Sequence, residues 1–221
     1  MALILCIETA TRSCSVALAK DGSLLHFKEE LSEKYSHSEQ LTPFIESLLQ
    51  EQGVALADLD AIAVSKGPGS YTGLRIGTSV AKGLCYALNI PLISISTLRA
   101  MAFGMAESED STISCPMIDA RRMEVFASIY DQSNNEVREI RADIVDQYTY
   151  SQFLKTKVLF FGDGALKCKS IINSSNAYFL DGIFPSAKNI GLLGFDKFLN
   201  KDFEDVAYFE PYYLKDFVAS I

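Results

Sequence analysis

Ser65-Lys66-Gly67-Pro68-Gly69-Ser70-Tyr71-Thr72-Gly73-Leu74-Arg75-Ile76-Gly77 stands between an apolar run, Ala61 to Ser65, and a segment with helical spacing that continues to Asn89. It reads as a strand, a glycine-rich turn and a helix. A Walker loop is excluded because no lysine follows its glycine in the Gly-x4-Gly-Lys-Ser/Thr frame, and Gly-x-Gly-x-x-Gly does not fit either. Three glycines and Pro68, with Thr72 as the expected N-cap, force unusual torsions ahead of open helix amides. That is more constraint than a bare turn needs, so contact with a ligand or partner stands beside the plain structural reading. Arg75 falls in the first helical turn, against the macrodipole, at a cost of a few tenths of a kcal/mol. A nearby or partner carboxylate, or simple solvation, accounts for it.

The stretches around this segment alternate in the same way. Leu3 to Thr9, Ser13 to Lys20 and Ser23 to Glu30 read as strands, the last two joined at Asp21-Gly22. Ser36-x-x-Glu39 reads as a capping box opening a helix that carries Leu41, Phe44, Ile45, Leu48 and Leu49 and stops at Gly53, with Pro43 near its start. Pro91 to Ile95 is the next strand. Strand, strand, strand, helix, strand, helix, strand is the order of one lobe of an α/β fold of the actin, sugar-kinase and Hsp70 type (ribonuclease H-like). The texture changes after Glu107: a polar turn to Thr112, strands Ile113 to Ile118 and Met123 to Tyr130, then weaker elements with helices near Ala165 to Ile172 and Ala187 to Leu199. The expected division is residues 1–105 as the first lobe and 106–221 as a reduced second lobe, with no internal repeat visible.

Composition narrows the function classes. The 221 residues carry 48% hydrophobic and 22% charged side chains, ordinary for a globular chain whose core needs no disulfide. The short apolar run at Leu3 to Ile7 lacks a basic flank, and no stretch approaches the roughly 18 apolar residues of a membrane span, so a cytoplasmic location is expected. Five cysteines without a CxxC pair read as reduced, buried thiols. A net charge of -8 disfavours strong nucleic-acid binding by this chain alone, so an RNA role would need a basic partner.

Three further places could carry chemistry. Glu8-Thr9-Ala10-Thr11-Arg12-Ser13 puts an acid and hydroxyls on a tight turn after the first strand; Glu8, Thr9 and Thr11 are candidates for a residual nucleotide turn, and an ordinary polar hairpin is the alternative. Asp119-Ala120-Arg121-Arg122 joins two strands and reads more readily as a charged hairpin. Phe161-Gly162-Asp163-Gly164 is a second glycine-rich strand end. His26 and His37 have no second ligand at i+4, so no metal site is expected, and no nucleophile stands near a base.

Projected at helical spacing, the apolar and small residues of the helix after the motif cover an arc of roughly 200°, about twice one core-facing stripe. Gly73, Gly77, Ala81 and Cys85 recur every four residues, flanked by Leu74. This stripe of small side chains is the expected partner interface, and packing by the chain's own first helix is the alternative.

Taken together, Glu8-Thr9-Ala10-Thr11, Cys14-Ser15-Val16-Ala17-Leu18, His37-Ser38-Glu39-Gln40-Leu41 with Pro43, the Gly67-Pro68-Gly69-Ser70-x-Thr72-Gly73-Leu74-Arg75-x-Gly77 string, Ile118-Asp119-Ala120-Arg121-Arg122-x-Glu124-Val125 and Pro211-Tyr212-Tyr213-Leu214 resemble the TsaB family, also called YeaZ. The match covers residues 1 to about 130 and the end of the chain, and the glycine-rich string is its specific part. Glu8 departs from the family's usual aspartate by one methylene.

The resemblance implies a two-lobed actin-type fold. It also implies an accessory subunit, inactive alone, that binds and activates TsaD in the complex forming N6-threonylcarbamoyladenosine next to the anticodon of tRNAs reading ANN codons. TsaE is implied as a further partner, with ATP and a metal ion on the partner subunits, no cofactor on this chain, and a homodimer when alone. TsaD-like chains carry a His-x3-His metal pair, whereas Leu41 stands at i+4 of His37 here. The rival reading is a small actin-type nucleotide-dependent phosphotransferase or hydrolase acting alone, which would need a second phosphate hairpin that the sequence does not reveal. A metallopeptidase lacks its histidine ligands.

Overall fold

The computed structural model describes residues 1–32, 37–105 and 113–215. Two compact units divide it: residues 1–100 with 185–212, and residues 101–184 with the segment from 213 onward. The second lobe expected at 106–221 is corrected accordingly. Pro185–Tyr212 belongs to the first unit because its helix packs on the first sheet.

In the first unit, β1 (Leu3–Glu8), β2 (Ser13–Lys20) and β3 (Ser23–Leu31) form an antiparallel meander, and β4 (Ala61–Gly67) and β5 (Leu92–Ser96) extend β1 in parallel, giving the order β3-β2-β1-β4-β5. Alternation along the strands sends Leu5, Ile7, Val16, Leu18, Ile62 and Val64 to one face. There they meet Leu41, Ile45, Leu48 and Leu49 of α1 (His37–Gln52) and Ala81 and Cys85 of α2 (Tyr71–Leu88). Ser36 of the expected capping box and the expected turn at Glu107–Thr112 lie outside the described residues.

α3 (Thr97–Met105) follows β5 without a break, and no glycine or proline in the sequence marks its start. α2 begins two residues earlier than the spacing suggests, with Ser70 rather than Thr72 as N-cap, the Ser70 hydroxyl accepting from Gly73 N.

The second unit carries β6 (Ile113–Asp119), β7 (Glu124–Tyr130), β8 (Glu136–Ile144), β9 (Val158–Phe161), the short α4 (Ala165–Cys168) and β10 (Ala177–Leu180) in the order β8-β7-β6-β9-β10. Residues 169–172, expected to be helical, lie beyond α4. The expected helix from Ala187 divides into a 3₁₀ turn, Ala187–Asn189, and α5 (Gly191–Leu199), which covers the other face of the first sheet. Its close approach uses small side chains: a Cβ on Gly191 would reach 2.8 Å from Ala19 Cβ, and one on Gly194 3.1 Å from Ala63 Cβ.

Each sheet has an antiparallel meander followed by two parallel strands, in the same spatial order. The chain therefore contains a structural repeat that its residues do not display. The Asp119–Glu124 hairpin occupies in the second unit the position that the Glu8–Ser13 turn occupies in the first. A second β-hairpin thus stands at the matching place in the topology of the second unit.

Candidate functional site

The glycine-rich motif folds back on the turn after β1. Ser70 N donates to Ala10 O at 2.6 Å, and the Thr9 hydroxyl donates to Gly73 O at 2.8 Å. A Cβ on Gly69 would come within 2.3 Å of Ala10 O, one on Gly73 within 2.1 Å of Thr9 O, and one on Gly77 within 2.3 Å of Thr9 Oγ1. No side chain fits at these three positions without displacing the turn, and this close approach explains the glycines. Gly67, at φ 108°, takes a conformation that side chains disfavour, and the backbone of Tyr212 lies against it, Tyr212 N donating to Lys66 O at 2.7 Å. The motif thus fastens the first turn at one end and Pro211-Tyr212 at the other.

Glu8, Thr9 and Thr11 are buried, with Glu8 and Thr9 at 0% exposure. Glu8 Oε1 accepts from Ala10 N at 2.6 Å and from the Ser65 hydroxyl at 2.7 Å, while Oε2 has no hydrogen-bond partner among the described residues. Burial pushes the carboxyl up to about 7 against the pull of its hydrogen bonds from Ala10, Ser65 and Thr9; Glu29 adds a smaller push upward. The backbone amide at the head of the turn, which a phosphate would use, is taken by the chain's own carboxylate. His37 is buried beside this turn, its Nε2 donating to Thr11 O at 2.7 Å, and burial lowers its pKa. A carbonyl only accepts, so Nε2 carries the proton in the neutral ring.

Arg75 places its guanidinium over the Tyr71 ring at 4.3 Å. Thr72 is exposed in the first turn of α2. In the second unit Asp119 Oδ1 accepts from Arg121 N at 2.7 Å and from Lys167 Nζ at 2.6 Å, and Asp163 Oδ1 accepts from Asp119 N at 2.9 Å. Arg121 and Arg122 sit at φ 70° and 48° with both side chains exposed. The charged-hairpin reading of this stretch is the one the contacts describe. Among the described residues no group of three His, Cys, Asp or Glu could hold a metal ion.

The interface expected on Gly73, Leu74, Gly77, Ala81 and Cys85 is corrected. All five are buried in the first unit, the first three positions against the turn and its surroundings and the last two in the core with α1. The other flank of the same apolar arc remains open. Val80 and Leu84, half-buried, line a groove of about 600 Å³ with Ile45 and Leu49 of α1, its polar Thr42, Glu46 and Gln50, and Val54 and Leu56 beyond it. The excess width of the arc signalled this surface, but only the packing of α1 on α2 decides which side is closed.

Residues 30–221 match the family model described as TsaD, tRNA N6-adenosine threonylcarbamoyltransferase. The chain is similar to the tRNA threonylcarbamoyladenosine biosynthesis protein TsaB of Escherichia coli K12, with 33% identity over 98% of this chain and 96% of that protein. It is also similar to TsaB of Bacillus subtilis 168, 35% identical over 76% and 74% of the two chains. Among solved structures, YeaZ from Pseudomonas aeruginosa superposes with a TM-score of 0.81 at 27% identity, covering 97% of this chain and 100% of that one. The activator of 2-hydroxyisocaproyl-CoA dehydratase from Clostridium difficile shares the fold at a TM-score of 0.51 and 12% identity, over 92% and 98% of the two chains.

Proposed function

Because this chain belongs to the TsaB family, we propose that it is a non-catalytic subunit that binds and activates a TsaD-type threonylcarbamoyltransferase. It takes part in tRNA threonylcarbamoyladenosine biosynthesis, and its own contribution to that pathway is association. The observation that supports this is the closed first turn: Glu8 occupies the Ala10 amide, and the motif glycines seal Thr9 and Ala10 from the other side. A turn held in this way is a packing element, and on this reading the chain binds no nucleotide there and needs no cofactor of its own.

The contact with the TsaD-type subunit lies on the α1–α2 groove. The match of residues 30–221 to the TsaD model favours a partner with a similar helix pair, so two such faces could meet about a pseudo-two-fold axis. The groove's apolar floor of Ile45, Leu49, Val54, Val80 and Leu84, edged by Thr42, Glu46 and Gln50, suits a packed helix face with a polar rim. A homodimer through the same face is the form expected when the partner is absent. TsaE and tRNA are reached through the assembled complex. Threonylcarbamoyl transfer to tRNA, assayed with this chain alone, with a TsaD-type subunit of the same cell alone, and with both, tests the proposal. Transfer by the chain alone would contradict it. Among the described residues no helix is long and apolar enough to cross a membrane.

A further inference from the structure

A second cleft, of about 350 Å³, lies wholly within the first unit and is unrelated to the α1–α2 groove. It opens where β4 and β5 end, the edge at which parallel α/β sheets present ligand sites. Lys66 at the end of β4 and Arg99 in the first turn of α3 line it, as do Ser94 to Ser96 of β5. Asp196 and Lys197 of α5, with Asn200 and Asp202 just after it, form a further wall.

The charges in this cleft do not balance internally. Lys197 is paired with Asp202 at 2.9 Å, and Ser94 Oγ donates to Glu204 at 2.5 Å. Among the described residues neither the Lys66 ammonium nor the Arg99 guanidinium has an ion pair or side-chain hydrogen bond. Both stand where a cation is unfavourable. Lys66 is half-buried at a strand end, which removes hydration without supplying a counter-charge. Arg99 opposes the positive end of α3, whose first turn contains no acid. Across the cleft, the Asp196 carboxylate and the Asn200 amide offer acceptors.

We propose that this cleft binds a small polar molecule with an anionic head group, held by Lys66 and Arg99, and hydroxyl or amino donors that meet Asp196 and Asn200. The shared chemistry is an anion on a hydroxylated stem. A sugar phosphate and a sugar acid are its two sources, and the volume suits a molecule of that size.

Isothermal titration of the full chain at low salt with inorganic phosphate, ribose 5-phosphate and gluconate tests the site. Saturable binding of ribose 5-phosphate, or of gluconate, is expected, and the tighter of the two identifies the head group. Lys66→Met and Arg99→Gln should each weaken that binding by about tenfold, the loss of one charge-assisted contact, with melting temperatures of the free chain equal to or above wild type, since each cation stands where it is unfavourable. Asp196→Asn should weaken the hydroxylated ligand relative to inorganic phosphate, whose binding should hold or tighten because a negative charge leaves the cleft. If Lys66→Met does not fold, Arg99→Gln alone carries the comparison. Failure of both organic probes to saturate below roughly 10 mM would overturn the proposal, as would equal affinity in wild type and every folded variant.

Discussion

The Ser65 hydroxyl donates to Glu8 Oε1 at 2.7 Å inside a fully buried corner of the first sheet, joining β4 to β1 at the point where both strands end. The carboxyl that receives it is shared with the amide of Ala10, so one side chain fixes the strand end, the neighbouring strand and the turn. Its second oxygen is unmatched among the described residues. That combination makes Glu8 a group whose ionisation the fold resists.

The stability of the first unit should therefore fall as pH rises. Glu8 titrates near 7 in the folded chain against an ordinary 4.5, so between those values the native state holds a proton that the unfolded state has lost. Stability attributable to this group is complete below about 4.5 and declines as pH rises through 7, by roughly 3 kcal/mol in total. Glu8→Gln, which keeps the shape without the charge, should remove this decline. Denaturant titrations of both proteins at pH 5 and pH 8 check it: the variant should gain on wild type at pH 8. An equal difference at both pH values would show that Glu8 is ionised throughout.

Glycines of α2 separate into two kinds. Gly73→Ala sets a Cβ within 2.1 Å of Thr9 O, a backbone atom that cannot swing aside, and overpacking of this sort costs about 1–3 kcal/mol or more. Gly83 is exposed with nothing within 4 Å of an added Cβ, and Gly83→Ala should stabilise by about 0.5–1 kcal/mol. Opposite shifts in melting temperature for the two variants are the expected result. A harmless Gly73→Ala would mean that the motif does not grip the turn.

In the second unit, Asp143 accepts from Arg138 at 2.5 Å and from the Tyr150 hydroxyl at 2.8 Å, both charged side chains being 10% exposed. Removing one partner leaves the other charge buried. Asp143→Ala should cost about 3–5 kcal/mol, whereas the outer pair Arg141–Glu139, 57% and 70% exposed, should cost less than about 1 kcal/mol when broken. Chemical denaturation of Asp143→Ala and Glu139→Ala distinguishes the two environments.

Much of this architecture is legible in the residues, and the limits have physical causes. The meander from Leu3 to Leu31 is readable because turns with distinct chemistry separate strands of clear alternation. α3 escapes notice because Ser96 passes into Thr97 with no glycine or proline between strand and helix. β9 and β10 are four residues each, too short for a period, which also hides the repeat of the two sheets. The glycine-rich motif announced itself, but its partner did not: Thr9 meets Gly73 across 64 positions of sequence, a contact that no local spacing encodes. The five-residue stripe on α2 failed as an interface for the same reason. Its spacing indicates a surface made for close approach, and only the three-dimensional packing shows that the approaching backbone is the chain's own.

The open flank of α2 should be where association is lost. Leu84→Glu places a charge in the apolar groove facing Leu49 and Val54 without entering the closed core, so circular dichroism should be unchanged while complex formation with the TsaD-type subunit fails in gel filtration. Normal co-elution of a folded Leu84→Glu chain would place the contact elsewhere.

The central claim is that this chain acts by binding and has no active site of its own, and single-turnover threonylcarbamoyl transfer to tRNA tests it most directly. Purified chain alone should yield no modified adenosine and no ATP turnover above a blank, while adding it to the TsaD-type subunit of the same cell should raise product formation, and Leu84→Glu should not. Modified tRNA or steady ATP turnover from the chain alone, abolished by Glu8→Ala in a variant that still folds, would contradict the account and establish an enzyme at the first turn.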